Sequence, residues 1–409
     1  MAQGLEITVG RREADIVGTD NRALQAAVDY VARLGGGVVQ VGPGTYLMRD
    51  SLHLRSGVTV RGCGAETILR KADSAESPLI LDGDYGEEQI TVADPAGFAP
   101  GVGVAVKDDH SDGFHTTVCT IIAAEGNTFQ LSGPLVFDCM VADHAVAQTI
   151  YPVISGYYVT GVRLEGLTID GNRAHNPALN GCRGGGIFLY ESDGAVITDC
   201  RVYGYSGDGI SFQKCADVRV ERCECAGNSG LGLHPGSGSQ RPVVLDCYSH
   251  DNGEIGLFVC WRVRGGRFER NTLARNGRVG ISIGHKDTDN LFVENVVVEN
   301  GWCGVHFRDE SEPMAGHRNR FVRCRIQDNG TTSEPGVGVR IDGATHDLAF
   351  EACAIGDTRP VGAKTQAVGL FVGAQAGPVS LHRVDLAGNA RCEVEGNAGA
   401  VLKTGRSSA

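Results

Sequence analysis

Apolar and variable residues alternate along much of the chain, and each alternating run opens on a glycine. Three clear copies are residues 256–262, 280–286 and 304–310, in which every second side chain is apolar. This two-residue period is that of a β-strand, whose successive side chains point to opposite faces. The apolar side chains therefore predict a core and the others predict a surface. The core set is Leu257, Val259, Ile281, Ile283, Val305 and Phe307.

The runs recur with a fixed period. Asparagines stand at 228, 252, 276 and 300, a constant step of 24 residues, and Asn329 follows 29 residues later. The copies lack the 3.6-residue periodicity of helical repeats and are rich in β-branched residues. A period of this length with strands and turns in each copy predicts an all-β fold, a parallel β-helix or solenoid.

Cysteine and asparagine share a second column of the repeat. Parallel strands stack about 4.8 Å apart, so we expect a ladder of small side chains inside the coil. Metal binding or redox chemistry is the alternative interpretation of these thiols, whereas reduced, buried thiols suit a cytoplasmic location. The column is Cys200, Cys223, Cys247, Asn271, Asn295, Cys324 and Cys353.

Four segments differ in pattern. Residues 1–75 predict an N-terminal cap and first rungs, with an amphipathic helix over 19–34 that Thr19 or Asp20 caps. Residues 76–150 break the rhythm and predict a small β insertion, either a wall of a cleft or an oligomer contact. Residues 151–400 carry the β-helix, and 401–409 are expected to be a disordered tail.

Charge and hydropathy narrow the function classes. The net charge of −12 disfavours a nucleic-acid partner. No apolar run reaches the 18 or so residues of a membrane span. Residues 1–6 have neither a basic start nor an apolar stretch. The expectation is therefore a cytoplasmic protein without a membrane partner, or a secreted one if a signal has been removed. A homo-oligomer is one of the two roles left open for the insertion.

The outward-facing columns collect an unusual set of polar side chains over a few rungs. An aromatic ring there offers a platform for a sugar, and arginines suit carboxylate or sulfate groups. Histidine, lysine and carboxylates supply acid–base candidates. The alternative is that Arg308, Asp309, Arg340 and Asp342 form a salt-bridge ladder. The predicted catalytic residues are Lys286, His285, Arg308 and Asp309, and the predicted substrate-binding residues are His234, Trp261, Arg262, Asp287, His306, Glu310, Arg340 and Asp342.

At these residues the sequence resembles the right-handed parallel β-helix superfamily of pectate-lyase-like carbohydrate enzymes, over about residues 20 to 400. Leu167–Ala174 is similar to the opening rung of alginate C5-epimerase modules. The catalytic Asp-Pro-His of that family is absent, because the nearest segment reads Leu233-His-Pro-Gly236. Segments 280–284 and 339–341 resemble polygalacturonases, whose Asn-Thr-Asp and Asp-Asp motifs are also absent; 207–210 matches them only in part.

Chondroitinase B-like lyases pair a lysine with an arginine, and Lys286 with Arg308 resembles that pair, although Lys286 aligns with Glu310 and not with Arg308. The resemblance implies a right-handed β-helix and a carbohydrate substrate. The first hypothesis is a lyase or epimerase acting on a uronic acid-containing poly- or oligosaccharide. In it Arg308, Arg262 or Arg340 would neutralise the carboxylate. Lys286 or His285 would be the base, and His306 or His234 the acid.

Two other functions stay open at this point. A glycoside hydrolase or intramolecular transglycosylase needs two carboxylates, which Asp309 with Asp287 or with Asp342 would supply. A non-catalytic carbohydrate-binding solenoid would use the same surface for binding alone. No cofactor is predicted from the polar columns themselves. Asp287 and Asp289 nevertheless offer two oxygens at one turn, as calcium sites do.

Overall fold

The computed structural model of the protein describes residues 5–404, which form two compact units. The first unit contains residues 5–189 and 200–211, and the second contains residues 190–199 and 212–404. Short parallel strands dominate both units, so the predicted fold class, a parallel β-helix, is confirmed. No helix in the described part of the chain is long and apolar enough to cross a membrane.

The predicted N-terminal helix is present in the first unit as α1 (Asn21–Arg33). Its N-cap is Asp20, whose carboxylate accepts the Arg22 N–H at 3.0 Å. Its apolar stripe is buried, as the spacing of Leu24 and Val28 predicts. Gly35 follows with a φ of +95°, a conformation that ends a helix and that glycine adopts without strain.

Parallel sheets form the rungs of the first unit. One sheet contains β1 (Glu6–Gly10), β2 (Ile16–Val17), β3 (Gly37–Val41), β6 (Val58–Arg61) and β15 (Arg163–Glu165). Another contains β4 (Gly44–Met48), β7 (Thr67–Lys71), β16 (Thr168–Asp170) and β19 (Arg201–Tyr203). A third contains β5 (Leu52–His53), β14 (Ile154–Tyr157) and β17 (Ile187–Tyr190). Short 3-10 turns lie at Gly64–Glu66 and Arg173–His175.

The predicted β insertion is a six-stranded antiparallel sheet in the first unit. Its own apolar core includes Val104, Ile121 and Phe129, which explains why these residues depart from the 24-residue rhythm. Short 3-10 turns lie at Gly113–His115 and Val141–Asp143. The strands are β8 (Glu76–Pro78), β9 (Gln89–Thr91), β10 (Gly103–Lys107), β11 (Thr117–Glu125), β12 (Thr128–Leu131) and β13 (Val146–Gln148).

The second unit is built from three parallel sheets. The first sheet contains β18 (Val196–Thr198), β21 (Arg219–Glu221), β24 (Val243–Leu245), β27 (Arg267–Glu269), β30 (Leu291–Val293), β33 (Arg320–Val322), β36 (Leu348–Glu351), β39 (Val379–His382) and β41 (Val401–Thr404). The second sheet contains β22 (Glu224–Ala226), β25 (Tyr248–His250), β28 (Thr272–Ala274), β31 (Val296–Val298), β34 (Arg325–Gln327) and β37 (Ala354–Gly356).

The third sheet of the second unit carries the polar columns described above. Short 3-10 turns of this unit lie at Glu312–Met314 and Ala398–Ala400. The strands of the third sheet are β20 (Ile210–Gln213), β23 (Leu233–Gly236), β26 (Ile255–Cys260), β29 (Val279–Gly284), β32 (Cys303–Phe307), β35 (Gly336–Ile341), β38 (Gln366–Val372) and β40 (Cys392–Gly396).

Ladders of like side chains stack inside the second unit. The repeat asparagines are buried and hydrogen-bonded to one another; Asn276 Nδ2 donates to Asn300 Oδ1 at 2.9 Å. Phe268, Phe292 and Phe321 stack with ring centroids 4.8 and 4.4 Å apart. Each amide finds a partner on the next rung, so the ladders satisfy buried polar groups at every turn.

The cysteine column is also buried, and every cysteine of the chain is a free thiol. Cys247 Sγ donates to the Leu245 carbonyl at 3.2 Å, and the Cys247 N–H donates to Asn271 Oδ1 at 3.0 Å. These contacts fit the interpretation of the column as a stack of small buried side chains.

The predicted disordered tail needs a correction. Residues 401–404 form β41, which pairs in parallel with β39, so they continue the first sheet. This strand, which contains the apolar residues Val401 and Leu402, adds one strand to the first sheet. The remaining residues of the predicted tail, 405–409, lie outside the described residues.

Candidate active site

The outer face of the third sheet carries a groove of about 230 Å³. Its floor is a column of outward side chains that pair from rung to rung: Phe258 with Ser282, Ser282 with His306, and His306 with Arg340. The alternate side chains point into the core, as the two-residue period predicts. The groove is lined by Glu254, Ile255, Phe258, Arg278, Val279, Ser282, Trp302, His306 and Arg308.

Arg308 lies across this column with its guanidinium 4.5 Å from the Phe258 ring centroid. Nη1 donates to Ser282 Oγ at 2.7 Å, and Nη2 donates to the Val259 carbonyl at 3.0 Å. The side chain is only 15% exposed, and within the described chain its Nε–H has no acceptor. Burial lowers the pKa of Arg308 but leaves it a cation.

Glycine at position 284 makes room for this arginine. A Cβ there would lie 2.8 Å from Arg308 Nε and 2.9 Å from Arg308 Cβ. Any side chain at 284 would therefore displace the guanidinium from the Phe258 ring. The glycine is required by close packing, since its φ is not in the left-handed region.

Asp287 is the buried counter-charge of Arg308, with Oδ2 3.4 Å from Nη2. Its Oδ1 accepts the Val263 N–H at 2.9 Å and its Oδ2 accepts the Gly284 N–H at 3.0 Å. Burial raises the pKa of Asp287 to about 7, against the lowering influence of Arg308 and the backbone N–H groups. This carboxyl therefore keeps its proton to a higher pH than an exposed aspartate does.

The prediction that Asp287 contacts substrate is wrong, because its side chain has no exposed surface. The turn N–H groups draw the carboxylate inward instead. A calcium ion at this turn is not supported either. The Asp287 oxygens are occupied by N–H donors, and Asp289 accepts from Arg318 Nε at 2.7 Å.

His306 lines the groove, and a hydrogen bond to Asp342 orients its ring. Its Nε2 lies 3.0 Å from Asp342 Oδ2, and the same oxygen accepts from Arg340 Nε at 2.7 Å. Burial raises the pKa of Asp342, but the hydrogen bonds from His306 and Arg340 outweigh it and lower that pKa. In the neutral imidazole, a hydrogen bond to ionised Asp342 places the proton on His306 Nε2 and leaves Nδ1 as the acceptor.

A second histidine stands at the turn that follows β29. His285 Nδ1 lies 2.6 Å from Glu310 Oε1, and the His285 ring stacks on Trp261 with centroids 5.1 Å apart. Burial, and then the nearby Arg308 cation, lower the pKa of His285. Trp261 is 42% exposed, but it is not among the residues that line the groove.

His234 stands one rung below Phe258, and the two rings are 5.1 Å apart, edge to face. The strand pairing of Leu233 with Leu257 places His234 opposite Phe258. Only 4% of His234 is exposed. A Cβ at Gly236 would lie 2.2 Å from Gln213 Oε1, so the Gln213 side chain fills the space beside Gly236.

Other predicted residues lie outside the groove lining. Lys286 is half-buried at the turn, and its N–H donates to the Met314 carbonyl. Asp309 is exposed, and Arg262 lies 5.6 Å from the Trp261 ring. Of the predicted residues, the structure thus brings Arg308 and His306 together in the groove. Asp342 contacts His306 and Arg340, and His285 contacts Glu310, outside the groove lining. The structure does not bring Lys286 or Asp309 into the groove.

Sequence reasoning missed Trp302 and Arg278, which line the groove. The His306 ring meets the Trp302 ring edge-on with centroids 4.9 Å apart. Both missed residues precede their strands and so escape a search for alternation. Glu254, Arg278 and Trp302 nevertheless stand 24 residues apart, a column that the repeat itself could have identified.

Comparisons with known proteins agree with this architecture. The family model for the right-handed beta helix region matches residues 102–266 and 185–355. Mannuronan C5-epimerase AlgE5 of Azotobacter vinelandii is 23% identical over 350 residues, which is 82% of this chain and 25% of that protein. AlgE3 of the same organism is 35% identical over 89 residues, 22% of this chain and 5% of that protein. The chain spans about a quarter or less of the length of these relatives.

Solved structures show the same fold. The A-module of mannuronan C-5 epimerase AlgE4 from Azotobacter vinelandii superposes with a TM-score of 0.65 at 16% identity, over 97% of this chain and 93% of the module. The AlgE6 A-module gives 0.57 at 15% identity, over 94% and 95%. The parallel sheets, the 24-residue ladders and the family match lead to one conclusion: this chain belongs to the right-handed β-helix family.

Proposed function

We propose that the protein is a lyase or C5-epimerase that acts on a uronic acid-containing poly- or oligosaccharide bound in the groove of the third sheet. The observation that carries this proposal is the joint presence of the Arg308 guanidinium and the His306 imidazole in one groove. Aromatic rings of Phe258 and Trp302 flank them, as platforms for sugar rings would.

Both reactions begin with removal of the proton at C5, the carbon that bears the uronate carboxylate. The negative charge that develops there spreads onto the carboxylate, so a fixed cation beside it lowers the barrier. Arg308 is such a cation, held by Ser282 and the Val259 carbonyl. Its planar fork suits a carboxylate better than a lysine would.

His306 is the base that the geometry favours. Asp342 fixes the ring and its tautomer, so Nδ1 has a lone pair for the C5 proton. In a lyase the C5–H electrons form the C4–C5 double bond, the bond from C4 to the glycosidic oxygen breaks, and the departing oxygen takes the proton that His306 removed from C5. In an epimerase a proton returns to C5 from the opposite face, and we assign this step to His285, which lies close enough to Arg308 for that cation to lower its pKa.

The relatives AlgE5 and AlgE3 support the substrate class, since both are mannuronan C5-epimerases. The absent Asp-Pro-His motif means that this chain would use other acid–base residues for the same chemistry. The hydrolase alternative loses one carboxylate pair, because Asp287 has no exposed surface from which to act.

The test incubates the purified protein with a panel of polyuronates. The lyase version predicts a new ultraviolet absorbance from the unsaturated uronate, and the epimerase version predicts inverted uronates by NMR. His306→Gln should lower kcat by at least about 100-fold, the usual contribution of a general base. His250→Gln is the matched control, because His250 also contacts carboxylates, Glu224 and Asp251, but lies in the second sheet. An unchanged panel with the wild-type protein would refute the proposal.

A further inference from the structure

Arginines of the second unit commonly pair with a carboxylate on a neighbouring rung. Arg275, for example, donates from Nε to Asp251 at 3.0 Å. Such pairs lie on the exposed turns, where they neutralise both charges and hold adjacent coils in register. The further pairs of this kind are Arg222–Asp199, Arg241–Asp217, Arg270–Asp246, Arg318–Asp289 and Arg323–Glu294.

Arg278 departs from this arrangement although it is only three residues from Arg275. Within the described residues no carboxylate lies at ion-pair distance from it. Glu254 holds the same position on the preceding rung, and the two are joined only through the backbone, Arg278 N–H to Glu254 carbonyl at 2.8 Å. The guanidinium turns instead to the Trp302 ring, with its carbon 5.8 Å from the centroid.

Arg278 and Arg308 lie at opposite ends of the strands that carry the groove. Both line the groove, yet Arg278 precedes β29 whereas Arg308 follows β32. The column of Phe258, Ser282 and His306 runs between these two ends of the strands. The groove therefore presents one cation on each side of the residue that we assign as the base.

We propose that Arg278, seated on Trp302, is a second anion subsite, so that the ligand is a chain with acidic groups on more than one sugar. One carboxylate binds Arg308 beside His306, and a carboxylate of another sugar of the same chain binds Arg278. An exposed cation–π contact contributes only about 0.5–1 kcal/mol, so it orients the guanidinium but leaves its N–H groups for a ligand. The choice of a uronate as the ligand rests on the proposed function, whereas the existence of a second cationic subsite does not depend on it.

The experiment measures binding by calorimetry with four probes: a uronate monosaccharide, an oligouronate, a neutral oligosaccharide of equal length and its sulfated form. Arg278→Gln should weaken oligouronate binding about ten-fold, the loss of roughly one charge-assisted contact, without changing monosaccharide binding. Arg278→Lys should retain part of the affinity. Arg275→Gln removes the same charge from a paired arginine outside the groove and should leave every Kd within about two-fold.

The results separate this inference from the proposed reaction. An oligouronate affinity unchanged in Arg278→Gln, or weakened equally for the monosaccharide, overturns the second subsite. Tighter binding of the sulfated probe than of the oligouronate overturns the choice of carboxylate. A wild-type protein that binds oligouronate through Arg278 but never turns it over supports the subsite and refutes the enzyme.

Discussion

The packing of Gly284 against Arg308 offers a way to disturb the site without removing a charge. In Gly284→Ala the new methyl group would lie 2.8 Å from Arg308 Nε, 2.9 Å from its Cβ and 3.1 Å from its Cζ. Because Arg308 Cβ is among the crowded atoms, rotation of the guanidinium alone cannot relieve the contact. We expect the side chain to leave the Phe258 ring.

The cost follows from the contacts that are lost. Arg308 would release hydrogen bonds to Ser282 and the Val259 carbonyl, each worth about 1.5–3 kcal/mol for a charged group before the discount for partial exposure. Asp287 would keep its two N–H donors but lose its cation. We expect the free energy of unfolding to fall by about 2–4 kcal/mol, a range that overpacking also gives.

A double-mutant cycle with Arg308→Ala makes this reasoning refutable. Urea denaturation should show that Gly284→Ala costs less than about 1 kcal/mol once Arg308 is shortened, giving a coupling energy of about 2–3 kcal/mol. Glycan binding should fall to the same level in Gly284→Ala, Arg308→Ala and the double variant. An equal cost of Gly284→Ala in both backgrounds would mean that position 284 acts through something other than Arg308.

Three further predictions concern stability. Burial lowers the pKa of Lys71 to about 7, so folding is penalised by the buried ammonium: the penalty is full below about pH 7 and disappears as the pH rises to about 10. In urea denaturation, Lys71→Met should therefore stabilise by about 2–4 kcal/mol near pH 6.5 but little near pH 10. Burial raises the pKa of Asp287 to about 7, so the folded state holds the carboxyl proton more tightly than the unfolded state does. The free energy of unfolding should therefore fall as the pH rises from about 4 to about 7. Urea titrations of Asp287→Asn should not show this fall. Arg222→Gln, at an exposed pair with Asp199, should cost under about 1 kcal/mol, whereas Asn300→Ala strands the buried Asn276 amide and should cost about 3 kcal/mol. Equal costs for the last two would contradict the importance assigned to the asparagine ladder.

The fold could be predicted from the sequence because two separate patterns indicate it: the 24-residue step between rungs and the two-residue alternation within each strand. The step of 24 residues between Asn276 and Asn300 is the step that the strand pairing shows, with Ile281 opposite Val305. The alternation within each strand also places Phe258 and Ser282 correctly on the face opposite the core residues, although Arg308 covers Ser282 and leaves it only 1% exposed. Backbone register and side-chain direction are local properties of a strand, so a pattern of residues can reveal them.

The site was less predictable because its residues act across rungs. Arg308 reaches back over Ser282 to Phe258, and nothing in the sequence near 308 states that Gly284 leaves the space. Asp287 looks like an exposed turn residue, yet the N–H groups of Val263 and Gly284 hold it inside. Trp302 lies outside the alternating run, so only the comparison of equivalent positions on successive rungs could have drawn attention to it.

The central claim is that the groove between Trp302 and Arg308 holds a uronate. The most direct test is a crystal structure of the His306→Gln variant with a bound oligouronate. We predict a carboxylate oxygen within hydrogen-bond distance of the Arg308 guanidinium and a sugar ring against Phe258 or Trp302. An oligouronate bound on another face of the molecule, with this groove empty, would contradict it.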